Sequence, residues 1–124
     1  MRITIIIFLI ITFFYSCESK KVDKSFETDF NYAIYAINNH EKWKDVKYVV
    51  WVSRFYVATS YLEELTGISG TYVTAEHTPF YNTKYDRLQD INNWEHWYNE
   101  NKYNVTKEYS DSIKSLASGL YLRR

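Results

Sequence analysis

The chain has 124 residues, of which 46% are hydrophobic and 24% charged, and this size and composition indicate one folded domain rather than a disordered chain. Its 15 Lys and Arg residues balance 15 Asp and Glu residues, which argues against a basic nucleic-acid-binding protein. The single Cys excludes an intramolecular disulfide framework and a multi-cysteine zinc site. With three Gly and one Pro, turn signals are few, and a strand-rich sandwich or barrel is disfavoured.

The N-terminal segment has the pattern of an export signal. Arg2 is followed by an apolar run, Ile3–Phe14, which is shorter than the roughly 20 residues that a membrane-spanning helix needs. A basic residue followed by an apolar run of about 7–15 residues is typical of a secretory signal peptide. The run ends at Tyr15-Ser16-Cys17, after which the chain becomes polar at once.

The Ser16-Cys17 junction resembles the lipobox of bacterial lipoproteins, in which the signal peptidase cuts just before a cysteine that carries the lipid. The resemblance implies a signal peptide over 1–16, a lipidated Cys17, a polar tether over 17–24 and a single helical domain over 25–124. It also implies a lipid-anchored location in the bacterial cell envelope, at the periplasmic or surface face of the outer membrane. The alternative is an ordinary signal peptide followed by an unmodified cysteine.

The apolar spacing after the tether predicts a first helix of about 14 residues that ends near Asn38-Asn39-His40. Ser25 is its expected N-cap. Its buried face is expected at positions i, i+4, i+7 and i+11, which are Phe26, Phe30, Ala33 and Ile37.

A longer second helix is predicted from about Asp45, its expected cap, to Thr66, with Gly67 directly after its end. The β-branched and aromatic run Tyr48–Val52 alone favours a strand, but an apolar pattern of about 20 residues without a breaker favours a helix. We expect this helix to be the centre of the core. Its predicted buried stripe is Trp51, Phe55, Ala58, Leu62 and Leu65.

Residues 68–86 form the longest irregular stretch, with short strands compatible with Thr71–Thr74 or with the neighbourhood of Tyr85. Long loops in compact domains are often functional or packed by their own side chains. We expect most of the loop aromatics to pack and one or two to stay exposed. The candidate binding residues of the loop and of the helix after it are Tyr72, His77, Phe80, Tyr81, Tyr85 and Trp97.

Two further helices complete the predicted all-α fold, a small bundle of about four helices with a long irregular loop. Thr106 is the expected cap of the last one. The predicted buried face of the third helix is Leu88, Ile91, Trp94 and Tyr98, and that of the fourth is Tyr109, Ile113, Leu116 and Leu120.

The segments Leu62–Ile68 and Ile91–Asn101 together resemble a unit of HEAT-like helical-repeat proteins and of small exported bacterial proteins. There, a helix ends in Leu-Thr-Gly, a loop follows, and the next helix carries two aromatics three residues apart, here Trp94 and Trp97. The resemblance covers residues 58–102 and implies a helical hairpin without catalytic residues. The chain differs from such repeats in having no second copy.

Catalytic patterns are weak in this sequence. His40, His77 and His96 each have a Glu as sequence neighbour, but neighbouring side chains diverge on a helix. There is no His-Glu-x-x-His motif and no phosphate-binding glycine loop, so neither a metal nor another cofactor is predicted. The sequence favours a non-catalytic interaction module, of which an immunity-type protein is one version, bound to the membrane by its lipid and possessing a protein partner. Two alternatives stay open: a small periplasmic hydrolase that uses His77 or His96, and a structural envelope lipoprotein.

Overall fold

The computed structural model describes residues 19–43 and 48–121. This part of the chain is an all-α bundle with one small hairpin, which confirms the predicted fold class. The elements, in chain order, are α1 (Lys24–Asn38), a 3-10 turn (His40–Trp43), α2 (Tyr48–Thr66), β1 (Val73–Ala75), β2 (Thr78–Phe80), α3 (Lys84–Asn101) and α4 (Lys107–Tyr121). The predicted export signal, Cys17 and the predicted cap Asp45 lie outside the described residues.

Helix α2 lies at the centre of the bundle and packs against both α1 and α4. All five residues of its predicted stripe are buried, which confirms that interpretation: Trp51, Phe55, Ala58, Leu62 and Leu65. The helix ends as predicted, because Gly67 adopts a φ of 71° and its N–H donates to the Glu63 carbonyl at 2.8 Å. Within residues 19–43 and 48–121, no helix is both long and apolar enough to cross a membrane.

Helix α1 buries the predicted face but starts earlier than predicted. Phe26, Phe30, Ala33 and Ile37 are all buried. The N-cap is Asp23, whose carboxylate accepts the Phe26 N–H at 2.9 Å, and the prediction of Ser25 as the cap is wrong. A carboxylate at this position both accepts the hydrogen bond and interacts favourably with the helix dipole, an advantage that a serine hydroxyl lacks.

The buried face of α3 is rotated from the predicted one. Leu88 is 45% exposed and Tyr98 is half-buried, whereas Ile91 and Trp94 are buried as predicted. Two charged residues, Arg87 and Asp90, take the remaining buried positions. Asp90 lies on this face because, as described below, it binds the loop that precedes the helix, and Arg87 lies 3.7 Å from Glu41.

The buried face of α4 is also rotated. Tyr109 and Leu116 are each 48% exposed, and the buried residues are Ser110, Ile113 and Ala117. Two of these are small, and the Ser110 hydroxyl lies 3.1 Å from the Tyr61 hydroxyl of α2, so that a polar pair replaces part of the expected apolar contact. The side chain of Leu120 lies outside the described residues. Thr106 does cap the helix, since its hydroxyl accepts the Tyr109 N–H at 3.2 Å.

The irregular stretch is shorter than residues 68–86. It contains the hairpin β1–β2, whose second strand is Thr78–Phe80 and not a segment near Tyr85. Tyr85 belongs to the first turn of α3, because Thr83 caps that helix and accepts the Asp86 N–H at 3.0 Å. A threonine followed three residues later by an acidic residue is a helix-start signal, which the prediction of an irregular stretch up to residue 86 did not take into account.

Candidate functional site

Two carboxylates attach the start of the loop to the bundle. Glu63 Oε1 on α2 accepts the Gly70 N–H at 2.8 Å, and Asp90 Oδ2 on α3 accepts the Thr71 N–H at 2.6 Å. Hydrogen bonds from backbone amides to ionised acceptors are among the stronger ones in proteins. The loop therefore leaves the end of α2 along a path that is fixed on both sides.

Trp94 provides a third attachment. Its side chain is fully buried and its indole Nε1 donates to the Ile68 carbonyl at 3.0 Å. This burial and this bond favour a role for Trp94 in the core over a role as an exposed ring on which a ligand stacks. Trp97 is half-buried and packs against the same core cluster.

The two central loop tyrosines pack onto Phe55 of α2. The Tyr72 ring meets Phe55 edge-on with a centroid separation of 5.3 Å, and the Tyr81 ring does so at 6.0 Å. The ring of His40, which is buried in the turn after α1, lies 6.0 Å from Tyr81 on another side. Tyr72 and Tyr81 therefore hold the loop in place and are half-buried, while the other two loop aromatics, Phe80 and Tyr85, are exposed, so that half of them pack rather than most.

The Tyr81 hydroxyl is in a strongly anion-rich environment. It is buried beside the Asp90 carboxylate without a well-formed hydrogen bond. Desolvation raises the pKa of Tyr81 far above its ordinary value, and the charges of Asp90 and Glu63 raise it further. Tyr81 consequently stays protonated at any physiological pH and acts as a neutral packing residue.

The hairpin has one face towards α2 and one towards solvent. Its register pairs Val73 with Phe80 and Thr74 with Pro79. Pro79 is buried and the Thr74 hydroxyl lies 3.1 Å from the Tyr56 hydroxyl of α2, so this second pair faces the bundle. Cross-strand partners share one face of a hairpin, and the first pair therefore projects together on the opposite face, where each side chain is 36% exposed.

The turn between the strands has an unusual conformation for its residues. Glu76 and His77 both have positive φ, 50° and 65°, and both side chains are exposed. A two-residue hairpin turn with positive φ at both positions is a geometry in which Asn-Gly or Asp-Gly is strongly preferred. A residue with a Cβ costs on the order of 1–3 kcal/mol in such a region.

The predicted binding residues thus divide into two groups. Tyr72, Tyr81 and Trp97 contribute to packing, while His77, Phe80 and Tyr85 are exposed, with Tyr85 at 71%. The sequence interpretation did not identify the residues that hold the surface in place, Glu63 and Asp90. Asp90 could have been found from its position, because it lies four residues before Trp94 and therefore on the same helical face.

Among residues 19–43 and 48–121, the other titratable groups form no cluster comparable to Tyr81, Asp90 and Glu63. His96 Nε2 lies 3.2 Å from Glu100 Oε1, but both side chains are on the open surface of α3. Arg87 lies 3.7 Å from Glu41. Among the residues that the structure describes, no group of three His, Cys, Asp or Glu side chains is arranged to hold a metal ion.

Comparison of the chain with protein-family models, with curated proteins and with solved structures found no match.

Proposed function

We propose that this chain is a lipid-anchored, non-catalytic protein of the bacterial cell envelope that binds a protein partner through the tip and outer face of its hairpin, residues 73–80. The observation that carries this proposal is the turn at Glu76 and His77, where both residues hold a positive φ. Strained backbone that the surrounding structure maintains is concentrated at functional sites. An acid and an imidazole at the exposed tip offer a carboxylate and a heteroaromatic ring, neither of which the more stable Asn-Gly turn would supply.

The surface around the turn also fits a protein partner. Val73 and Phe80 lie side by side on the outer face, and apolar side chains flanked by polar groups are typical of interface centres. The bonds from Glu63 and Asp90 fix the chain at Gly70 and Thr71, just before the hairpin, and the Thr74 hydroxyl contacts Tyr56 of α2, so the hairpin is attached to the bundle before a partner arrives. Such preorganisation lowers the entropic cost of binding.

The double substitution Glu76→Asn with His77→Gly tests this proposal. It supplies the residues that the turn geometry prefers, so the free energy of unfolding should stay equal or rise, while capture of the partner from a membrane extract should be lost. Gln89→Ala, on the exposed surface of α3, is the control and should retain capture. Unchanged capture by the double variant, measured by quantitative mass spectrometry, would contradict the proposed binding surface.

The hydrolase alternative is less well supported. Its best contact is the 3.2 Å approach of His96 to Glu100, and both side chains are exposed. General acid–base catalysis favours an enclosed site in which a pKa can be tuned and a substrate held. The third alternative, a purely structural envelope lipoprotein, leaves the strained turn without a role.

The lipid anchor is tested separately from the binding surface. In the Cys17→Ser variant, we expect the protein to move from the membrane fraction to the soluble periplasmic fraction after cell fractionation. Retention in the membrane with the signal peptide still removed would refute lipidation at Cys17 and would leave the hairpin proposal untouched.

A further inference from the structure

The connection between Cys17, the proposed lipid site, and the bundle is short. Val22 of the predicted tether packs against the core, and Lys20 Nζ donates to Asn104 Oδ1, in the turn after α3, at 3.4 Å. Lys20 therefore lies against the bundle, and only residues 18–19 stand between it and Cys17. The chain from residue 17 to residue 20 spans at most about 10 Å even when it is fully extended.

This length determines how far the bundle can lie from a membrane. With Cys17 acylated, as the proposed function on which this step rests requires, the residue lies where the hydrocarbon meets the headgroups. The headgroup layer on one side of a bilayer is about 5–8 Å thick. Because the connection reaches at most about 10 Å, Lys20 and the part of the bundle beside it stay at the headgroup layer.

The part of the bundle beside Lys20 consists of the start of α1 and the turn between α3 and α4, residues 20–24 and 102–106, and we call it the tether end. The rings of Phe26 and Tyr98, 5.6 Å apart, pack α1 against α3 here. Lysine stems and tyrosine rings have an apolar body and a polar tip, which suits the boundary between lipid and water. The exposed or half-buried side chains of this kind at the tether end are Lys20, Lys21, Lys24, Lys102 and Tyr103.

Acidic side chains lie among these lysines, so the tether end suits phospholipid headgroups in general and does not select anionic lipids. Asp23 caps α1, and Glu27 accepts a hydrogen bond from the Tyr98 hydroxyl at 3.4 Å. A zwitterionic headgroup carries a phosphate that a lysine binds and an ammonium that a carboxylate binds. Both kinds of partner are therefore available at the tether end.

The opposite end of the bundle contains the end of α1 and the start of α3, where Arg87 lies 3.7 Å from Glu41. With 15 residues in α1 and 18 in α3, the two ends are about 22–27 Å apart. The loop that carries the hairpin packs beside this opposite end, since the Tyr81 ring lies 6.0 Å from that of His40. We propose that the tether end rests on the phospholipid headgroup layer and that the bundle thereby holds the hairpin away from the membrane.

Acetylation of lysines in the full chain on vesicles tests this orientation. Cys17 is the only cysteine, so its thiol can be coupled to phosphatidylcholine vesicles that contain a maleimide lipid, whether or not cells acylate it. A water-soluble reagent should then acetylate Lys20 and Lys102 severalfold more slowly than in the chain blocked with N-ethylmaleimide and free of vesicles. Lys42 and Lys84, which are exposed at the opposite end, are the internal controls and should react at the same rate in both samples. Mass spectrometry measures each site.

A longer connection provides the second test. Insertion of about 20 Gly and Ser residues between Ser19 and Lys20, with an average reach of about 25 Å, should restore the acetylation of Lys20 and Lys102 while the chain stays coupled. Equal protection at both ends, no protection at the tether end, or protection that survives the insertion would overturn the proposal. Failure of partner capture or of acylation in cells would leave these measurements unchanged, because they depend on neither.

Discussion

The two sides of α2 are covered by different kinds of side chain. On the hairpin side, the large rings of Tyr72 and Tyr81 cover Phe55, and carboxylates bind the loop amides. On the other side, the buried residues of α4 include Ser110 and Ala117, and a groove remains between the helices. Large aromatics thus close one side of the central helix, while small residues allow close approach on the other and leave space beside the contact.

The two sides of α2 also differ in how firmly their surfaces are held and in which side chains they expose. The closed side holds the proposed partner surface at a distance from the core, on a hairpin that the bundle supports from beneath. The open side exposes apolar lining directly. The proposed partner surface and the apolar groove therefore lie on opposite sides of one helix.

Truncation of Phe55 should have the largest effect on stability. The residue is 1% exposed and supports rings from the loop and from the turn after α1, so Phe55→Ala should lower the free energy of unfolding by about 3–5 kcal/mol. Tyr32→Ala, on the open side at 53% exposure, should cost less than about 1 kcal/mol. Urea titration measures both, and similar losses at the two positions would mean that the sides do not differ in packing.

Two glycines allow the same substitution with opposite expected signs. A Cβ at Gly70 would lie 2.9 Å from Tyr72 Cδ1 and 3.0 Å from Asp90 Oδ2, so Gly70→Ala should displace the loop and cost about 1–3 kcal/mol. At Gly119 in α4, a Cβ would meet nothing within 4 Å, and Gly119→Ala should stabilise by about 0.5–1 kcal/mol through helix propensity. Thermal unfolding of the two variants checks the pair. A neutral Gly70→Ala would indicate that the loop start is free to move.

The buried face of a helix could be predicted correctly from the sequence where large apolar residues recur at helical spacing. In α1 and α2, phenylalanine, tryptophan and leucine mark the buried stripe, and the burial of these residues confirms it. In α3 and α4, the same rule selected Leu88 and Leu116, which are exposed, because it assigns bulky apolar residues to the core. Ile91, Trp94 and Ile113 are buried as predicted, but the other buried positions of these two helices belong to charged, polar or small residues: Arg87, Asp90, Ser110 and Ala117. Asp90 and Ser110 have partners that lie far away in sequence.

The proposed site was harder to predict for the same reason. Glu63 is in the last turn of α2, where an acidic residue is expected to be solvated, and its bond to the Gly70 amide depends on how the loop folds back. The turn at Glu76 and His77 contains none of the residues that usually signal a hairpin, so the strands could be located only approximately. Local patterns therefore identified the segment, while its shape depends on contacts between elements.

The last expected effect is the titration of the Tyr61 hydroxyl, which changes stability in alkali. Burial raises the pKa of Tyr61 from 10.0 to about 12, with smaller contributions from Asp29 and Asp111. Below about pH 10 the hydroxyl is protonated in both the folded and the unfolded chain, and its contribution to stability is complete. Between about pH 10 and 12 the unfolded chain loses this proton first, so the free energy of unfolding falls as the pH rises.

Tyr61→Phe should separate this titration from the rest of the protein. At about pH 8 the variant should be less stable by about 0.5–1.5 kcal/mol, because the bond to Ser110 is lost. The difference from the unsubstituted chain should then shrink as the pH rises above about 10, since phenylalanine has no proton to lose. Tyr109→Phe, at an exposed position of α4, should stay parallel to the unsubstituted chain. Urea titrations across this pH range measure the difference in the free energy of unfolding between the variant and the unsubstituted chain. If that difference stays constant, the Tyr61 hydroxyl is open to water. The helices around Tyr61 would then be less closely packed than its burial and its contact with Ser110 imply.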